Sequence, residues 1–227
     1  MNCIKDITAK KDTNMPLLLK DKDRIIFLGD SITQAGVLDG GYISLSAHAI
    51  TKQYPKLAIE LIGAGINGHR VNHCQKRLDR DVLQRNPSTV FIYIGVNDVW
   101  HWQHERGTTA DEFKAGLEDI TTRILKSGAK IILCTPSVIG EKIDGSNKYD
   151  HMLDDYADIC RNIAYQYGVE LLDLRAEFMA YLKVHNPHNV AQGILTKDGV
   201  HLNKQGNIFL SSLVLEAFNV FRRVNHD

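Results

Sequence analysis

The chain has 227 residues, and its 27 basic and 27 acidic side chains give a formal net charge of zero at pH 7. Because no long basic run occurs, the electrostatic footprint of a nucleic-acid-binding protein is missing. The apolar triplet at residues 17–19 is far too short for a signal-peptide core, and no segment approaches a membrane span. The cysteines show no tight spacing, so we expect buried free thiols in a cytoplasmic protein: Cys3, Cys74, Cys134 and Cys160.

Short apolar runs alternate along the chain with segments of helical periodicity. This alternation is typical of a parallel sheet covered by helices. The predicted strands, rich in Ile and Val as buried parallel strands are, cover residues 24–28, 57–62, 89–94, 130–134 and 169–173. We therefore predict an α/β fold, a three-layer α/β/α sandwich with a five-stranded parallel sheet. It forms a single domain over residues 24–227 that follows an N-terminal extension, residues 1–23.

Five segments have the periodicity of amphipathic helices. They cover residues 44–53, 71–84, 109–127 and about 147–167, and a last helix starts near residue 203. The clearest opens at Thr109, and Glu112 three positions later completes a capping box. Gly128 follows this helix, where a C-terminal cap is expected.

Polar clusters follow four of the predicted strands. In an open parallel sheet, ligands bind beyond the carboxyl ends of the strands. We therefore expect one edge of the sheet to carry all four clusters and the functional site. The clusters are Asp30-Ser31, Asn67-Gly68-His69, Asn97-Asp98 and Thr135-Pro136-Ser137.

Ser31 stands at the end of a strand, and near the other end of the chain Asp198 lies three residues before His201. A serine is a weak nucleophile unless a base takes its proton, and that base works best when a carboxylate orients it. The three residues thus indicate a serine hydrolase. Acyl transfer also needs donors for the carbonyl oxygen. The backbone N–H groups of Ser31 and Gly68 and the side-chain amide of Asn97 are available.

These residues also carry a family resemblance. The blocks 29–31, 63–68, 95–98 and 198–201 resemble the four signature blocks of the GDSL-type, or SGNH, hydrolases, in the same order. The resemblance implies a flavodoxin-like sandwich, a triad of Ser31, Asp198 and His201, and an oxyanion hole formed by Ser31, Gly68 and Asn97. Segments 97–101 and 135–141 further resemble lysophospholipase-like esterases and acylhydrolases. The second block departs from the common pattern, because His69 stands where many members carry aspartate.

Five other residues are predicted around this constellation. We expect Asp30 and Asp98 to support the turns by accepting backbone N–H groups. Trp100, His101 and Ser137 are predicted to line the substrate pocket. His101 also begins an HxxH pattern, but no third ligand lies nearby in the sequence. We therefore expect neither a metal nor another cofactor.

A different class of enzyme is compatible with part of the pattern. A metal-dependent phosphoesterase could use Asp30, Asp98, Asp198 and His201 as ligands. That alternative gives no catalytic role to the glycine-containing block 63–68 or to Asn97. A catalytically silent binding domain is disfavoured because no member of the catalytic set is missing.

The expected function is that of a serine esterase that forms an acyl-enzyme on Ser31. Its partner is a small-molecule ester. No long apolar run suggests a lipid-binding cap, so a short acyl group, such as acetyl on a carbohydrate, is favoured. Cleavage of a lysophospholipid or a thioester by the same machinery remains the alternative.

Overall fold

The computed structural model describes residues 18–221. Within them, five parallel strands form one sheet in the order β2-β1-β3-β4-β5. The strands are β1 (Arg24–Gly29), β2 (Glu60–Gly65), β3 (Thr89–Tyr93), β4 (Lys130–Cys134) and β5 (Glu170–Leu172). This is the flavodoxin-like order, in which the chain first moves to one side of β1 and then to the other.

Helices cover both faces of the sheet. They are α1 (Ser31–Gly36), α2 (Tyr42–Gln53), α3 (Val71–Asp81), α4 (Val96–Trp100), α5 (Ala110–Lys126), α6 (Asp150–Tyr167), α7 (Leu174–His185) and α8 (Lys204–Ala217), and short 3-10 helices lie at Leu83–Arg85 and His101–His104. No helix within residues 18–221 combines the length and apolar character needed to cross a membrane.

Two apolar cores lie on opposite faces of the sheet. Successive side chains of a strand point to opposite faces, and β1 shows this directly. Ile26 and Leu28 pack with α3, α5 and α6, whereas Ile25 and Phe27 pack with α2, α7 and α8. The predicted three-layer sandwich is therefore confirmed.

The predicted strands agree with the structure to within one residue at each end except for β2, which begins three residues later than predicted and ends at Gly65. The apolar segment 57–59 precedes the strand, while Gly63 and Gly65 belong to it and pair with Phe27 and Gly29 of β1. A Cβ atom at Gly65 would lie 2.2 Å from the backbone nitrogen of Gln34 in α1. The glycines thus let α1 pack closely on the strand, although the same residues resemble a loop in the sequence.

The helix predictions were less complete. The predicted helices correspond to α2, α3, α5, α6 and α8, and the Thr109 capping box begins α5 as expected. No helix was predicted for α1, α4 or α7. Of the predicted cysteine thiols, Cys74, Cys134 and Cys160 are free and buried. Cys3 and most of the N-terminal extension, residues 1–23, lie outside the described residues.

Candidate active site

The serine lies on a tight turn between β1 and α1. The carboxylate of Asp30 caps the helix and accepts the backbone N–H of Ile32 at 2.9 Å. Gly29 is required just before it, because a Cβ atom there would lie 2.1 Å from the hydroxyl oxygen of Thr33. This turn places Ser31 as the first residue of α1, at the carboxyl edge of the sheet.

His201 reaches this serine from the turn that precedes α8. Its Nε2 lies 3.0 Å from Oγ of Ser31, and its Nδ1 lies 2.8 Å from Oδ2 of Asp198. A carboxylate can only accept, so the ring proton sits on Nδ1 and the lone pair of Nε2 faces the serine hydroxyl. The three predicted residues are thus joined in one hydrogen-bonded series.

Asp198 is held as a charged acceptor. Its Oδ1 accepts the backbone N–H groups of His201 at 2.7 Å and Val200 at 3.1 Å. Partial burial alone would raise the pKa of Asp198, but these N–H groups and the His201 ring outweigh it, so the pKa lies below its usual value. Gly199 allows the turn because its φ of +89° lies in the left-handed region.

The two other predicted oxyanion donors follow β2 and β3, the strands on either side of β1. Asn97, in α4, is only 3% exposed, and its Nδ2 donates to the backbone carbonyl of His69 at 3.1 Å. This bond uses one of the two N–H groups of the amide and leaves the other free to donate. Gly68 follows β2 with a φ of +72°. The Asn97–His69 bond therefore joins the segment that carries Gly68 to α4, the helix that follows β3.

Asp30 and Asp98 are buried, and both carboxylates accept backbone N–H groups. Asp98 accepts the N–H of Val71, the first residue of α3, at 3.1 and 3.3 Å. Burial raises the pKa of Asp30 to about 7 and that of Asp98 to about 6. Within residues 18–221, no three His, Cys, Asp or Glu side chains come together in a metal-binding group. The four ligands of the phosphoesterase alternative are therefore not gathered into one site.

The predicted pocket residues differ in where they lie. The ring of Trp100 meets the His201 ring edge to face, with centroids 5.9 Å apart. His101 is partly exposed beside Gly68, and a Cβ atom built on that glycine would lie 3.9 Å from its ring. Ser137 does not have the predicted position at the pocket, because it is fully buried and hydrogen-bonded to the hydroxyl of Tyr93 at 2.6 Å. It lines no open pocket.

Arg77 is a site residue that the sequence analysis missed. Its buried guanidinium donates to the carbonyls of Gly29 at 2.8 Å and Ala64 at 2.7 Å, so it joins the ends of β1 and β2. It also donates to Nδ1 of His69 at 3.1 Å. Burial, together with Arg77 and His73, lowers the pKa of His69 to about 4, which keeps this ring neutral. The one sequence signal was an arginine on the buried stripe of α3.

Cavity volume alone does not locate this site. A cavity of about 530 Å³ lies beside α2 and β2, and its lining includes Val37, Ile43 and Leu61 but no triad residue. The hydrogen-bonded series of Ser31, His201 and Asp198 lies instead at the carboxyl edge of the sheet.

Comparison with known proteins gives the family. A model of the GDSL-like lipase/acylhydrolase family matches residues 27–207. The chain belongs to this family. It is therefore a hydrolase that acts on ester bonds, as the names of the esterases below indicate for them, and its fold is that of a solved acetyl xylan esterase.

Three relatives illustrate the similarity. An acetylxylan esterase of Geobacillus stearothermophilus is 29% identical over 212 residues, which cover 85% of this chain and 92% of the relative. The crystal structure of an acetyl xylan esterase, AlAXEase, superimposes with a TM-score of 0.84 at 44% identity, over 86% of this chain and 98% of that one. The mouse isoamyl acetate-hydrolyzing esterase 1 homolog is 26% identical, over 82% of this chain and 78% of the relative.

Proposed function

We propose that this esterase removes acetyl groups from a carbohydrate through an acyl-enzyme formed on Ser31. A single catalytic domain, residues 24–227, carries out the reaction on a small-molecule ester. The observation that carries the proposal is the hydrogen-bonded series from Ser31 Oγ to His201 at 3.0 Å and from His201 to Asp198 at 2.8 Å. A serine in such a series loses its proton as it attacks, which makes a weak nucleophile reactive.

The proposed reaction has two steps. Ser31 Oγ bonds to the ester carbonyl carbon while its proton passes to Nε2 of His201, and the oxyanion accepts N–H groups from Ser31, Gly68 and Asn97. The alcohol leaves with the proton from His201, and acetyl remains on the serine. Water then attacks the acetyl group, again giving its proton to His201, and acetate departs with the serine restored. Asp198 stabilises the imidazolium in both steps.

The acyl group is inferred from what the relatives share. Both the acetylxylan esterases and the isoamyl acetate-hydrolyzing esterase are named for acetyl esters, although their alcohols differ. The 44% identity with an acetyl xylan esterase favours a sugar hydroxyl as the alcohol. Trp100, beside His201, supplies aromatic surface that suits either a sugar face or an acyl chain.

The assignment of the triad has independent support from a relative. Solved catalytic mutants of the Geobacillus acetylxylan esterase replace a serine, an aspartate and a histidine, and the last two are three residues apart. Asp198 and His201 have the same spacing. The free thiols of Cys74, Cys134 and Cys160 support a reducing compartment, and we propose the cytoplasm.

The test is a panel of p-nitrophenyl esters of rising acyl length, run beside an acetylated xylo-oligosaccharide. We expect kcat/KM to be highest for the acetate and to fall with chain length, and acetate to be released from the sugar. Intact-mass spectrometry of a quenched reaction should detect an acetyl adduct on Ser31. Preference for long acyl chains would instead favour a lysophospholipase, and turnover without an adduct on Ser31 would contradict the covalent mechanism.

A second comparison separates the proposal from the phosphoesterase alternative. A chelator should leave ester hydrolysis unchanged, whereas a serine-directed phosphonate should abolish it and label Ser31. Loss of activity with the chelator and resistance to the phosphonate would favour metal-dependent chemistry.

A further inference from the structure

Glu141 lies in the loop after β4 and is completely buried. Its carboxylate accepts the N–H groups of three consecutive residues, those of Ile194 at 2.7 Å, Leu195 at 2.7 Å and Thr196 at 2.6 Å. These residues lead directly into the turn that carries Asp198. The carboxylate of Glu141 thus holds residues 194–196, the segment that precedes the turn, in place.

Thr196 passes this attachment on to the turn itself. Its hydroxyl lies 2.9 Å from Oε1 of Glu141 and 3.0 Å from the backbone nitrogen of Gly199. The N–H of Gly199 can only donate, so the hydroxyl accepts from it and its own proton is directed at Oε1 of Glu141. The carboxyl group of Glu141 therefore sets the orientation of a hydroxyl that holds Gly199.

The turn of residues 198–201 depends on these hydrogen bonds because the side chains of Asp198 and His201 are only partly buried by packing. The side chain of Asp198 is 43% exposed and that of His201 is 26% exposed. The carbonyl of Gly199 is held as well, since it accepts the N–H of Gly140 at 2.8 Å. The loop after β4 thus holds both polar groups of the Gly199 backbone, one directly and one through Thr196.

We propose that Glu141 is a positioning residue, which keeps His201 within reach of Ser31 by orienting the hydroxyl of Thr196. The inference rests on the proposed roles of Ser31 and His201. A displacement of about 1 Å between reacting groups can reduce the rate about 100-fold. Loss of the Glu141–Thr196 link should therefore reduce turnover without changing the surface that binds the substrate.

The decisive variants change the hydroxyl of Thr196 and leave the triad intact. Thr196→Val has nearly the same shape but loses both hydroxyl bonds, whereas Thr196→Ser keeps the hydroxyl. Thr121→Val is the matched control, because Thr121 in α5 is also fully buried and its hydroxyl makes no hydrogen bond to any described residue. Glu141→Gln replaces one of the two acceptor oxygens with an NH2 group, which then faces a backbone N–H donor of residues 194–196.

We expect Thr196→Val to lower kcat on p-nitrophenyl acetate about 10- to 100-fold with KM unchanged. Labelling of Ser31 by the phosphonate should slow in parallel. Thr196→Ser should stay within about threefold of the parent, and Thr121→Val should be unchanged in kcat and in labelling. If Glu141→Gln folds, its kcat should fall as that of Thr196→Val does; if it does not fold, the threonine pair still tests the inference.

Two results would overturn this role. One is a lowered melting temperature in Thr196→Val with kcat and labelling intact, which would make the link purely structural. The other is an equal loss of kcat in Thr196→Ser, because that variant keeps the hydroxyl. Failure of the proposed function is a separate outcome, since it would appear in the unmodified protein as hydrolysis without an adduct on Ser31.

Discussion

Asn97 offers the sharpest test of how the site stabilises charge. Its amide has two N–H groups, and one of them is occupied by the carbonyl of His69 at 3.1 Å. The other is the donor that we assign to the oxyanion. Asn97→Ala removes both, so it should weaken catalysis and stability by separate amounts that can be measured separately.

The catalytic loss follows from the charge that develops on the carbonyl oxygen. Removal of one preset, uncharged donor costs about 2.7–4 kcal/mol in the transition state, which lowers kcat about 100- to 1,000-fold. KM should change little, because the ground-state carbonyl carries little charge. The stability loss comes from the part-buried hydrogen bond to the carbonyl of His69, whose removal costs about 0.5–1.5 kcal/mol. In a chain of this size, that lowers the melting temperature by about 1–6 °C.

Ser46→Ala provides the control for stability. The Ser46 hydroxyl is fully buried in α2, where it donates to the carbonyl of Tyr42 at 2.7 Å and contacts the hydroxyl of Ser211 in α8 at 3.0 Å. Its loss should lower the melting temperature and leave kcat on p-nitrophenyl acetate unchanged. If Asn97→Ala kept kcat within about threefold of the parent, or changed KM alone, the oxyanion role of Asn97 would be refuted.

Three further predictions concern the triad and its supports. Ser31→Ala and His201→Ala should each lower kcat about 10,000-fold or more, and the double variant should be little worse, because the two residues act as a unit; additive losses would contradict the shared role. Burial raises the pKa of Asp30 from an ordinary 3.8 to about 7, so the folded state holds the extra proton and is destabilised, by up to about 4 kcal/mol, as pH rises from 4 to 7. Chemical denaturation of Asp30→Asn at several pH values should lack this slope, and an unchanged slope would assign it to other groups. Arg77→Met removes the buried ion pair with Asp81 and the hydrogen bonds to two strand-end carbonyls, so the free energy of unfolding should fall by about 3–5 kcal/mol. A loss below about 1 kcal/mol would show that the guanidinium contributes little to stability.

The sequence was sufficient where the signal is local. The apolar runs predicted the parallel sheet, and the four polar clusters predicted which edge carries the site. The contact between Ser31 and His201 was also predicted, although 170 residues separate them, because both ends carry family motifs.

The sequence was insufficient where two hydrogen-bonded residues are far apart in the chain and neither belongs to a recognised motif. Arg77 donates to the carbonyl of Gly29, 48 positions away, and Glu141 accepts from Thr196, 55 positions away. Ser137 was assigned to the pocket because it follows a predicted strand, but it is buried against the hydroxyl of Tyr93, 44 positions away. Such pairs form only when the layers pack, so no local window of sequence contains them.

The contact between Ser31 and His201 also has a consequence for the synthesis of the protein on the ribosome. Ser31, the proposed nucleophile, is made early in synthesis, directly after the first strand, whereas His201, its proposed base, comes after all five strands. A nascent chain that has emerged only as far as β5 therefore carries a serine with no base to deprotonate it. Hydrolytic activity should consequently appear during synthesis only after the chain has been made as far as His201.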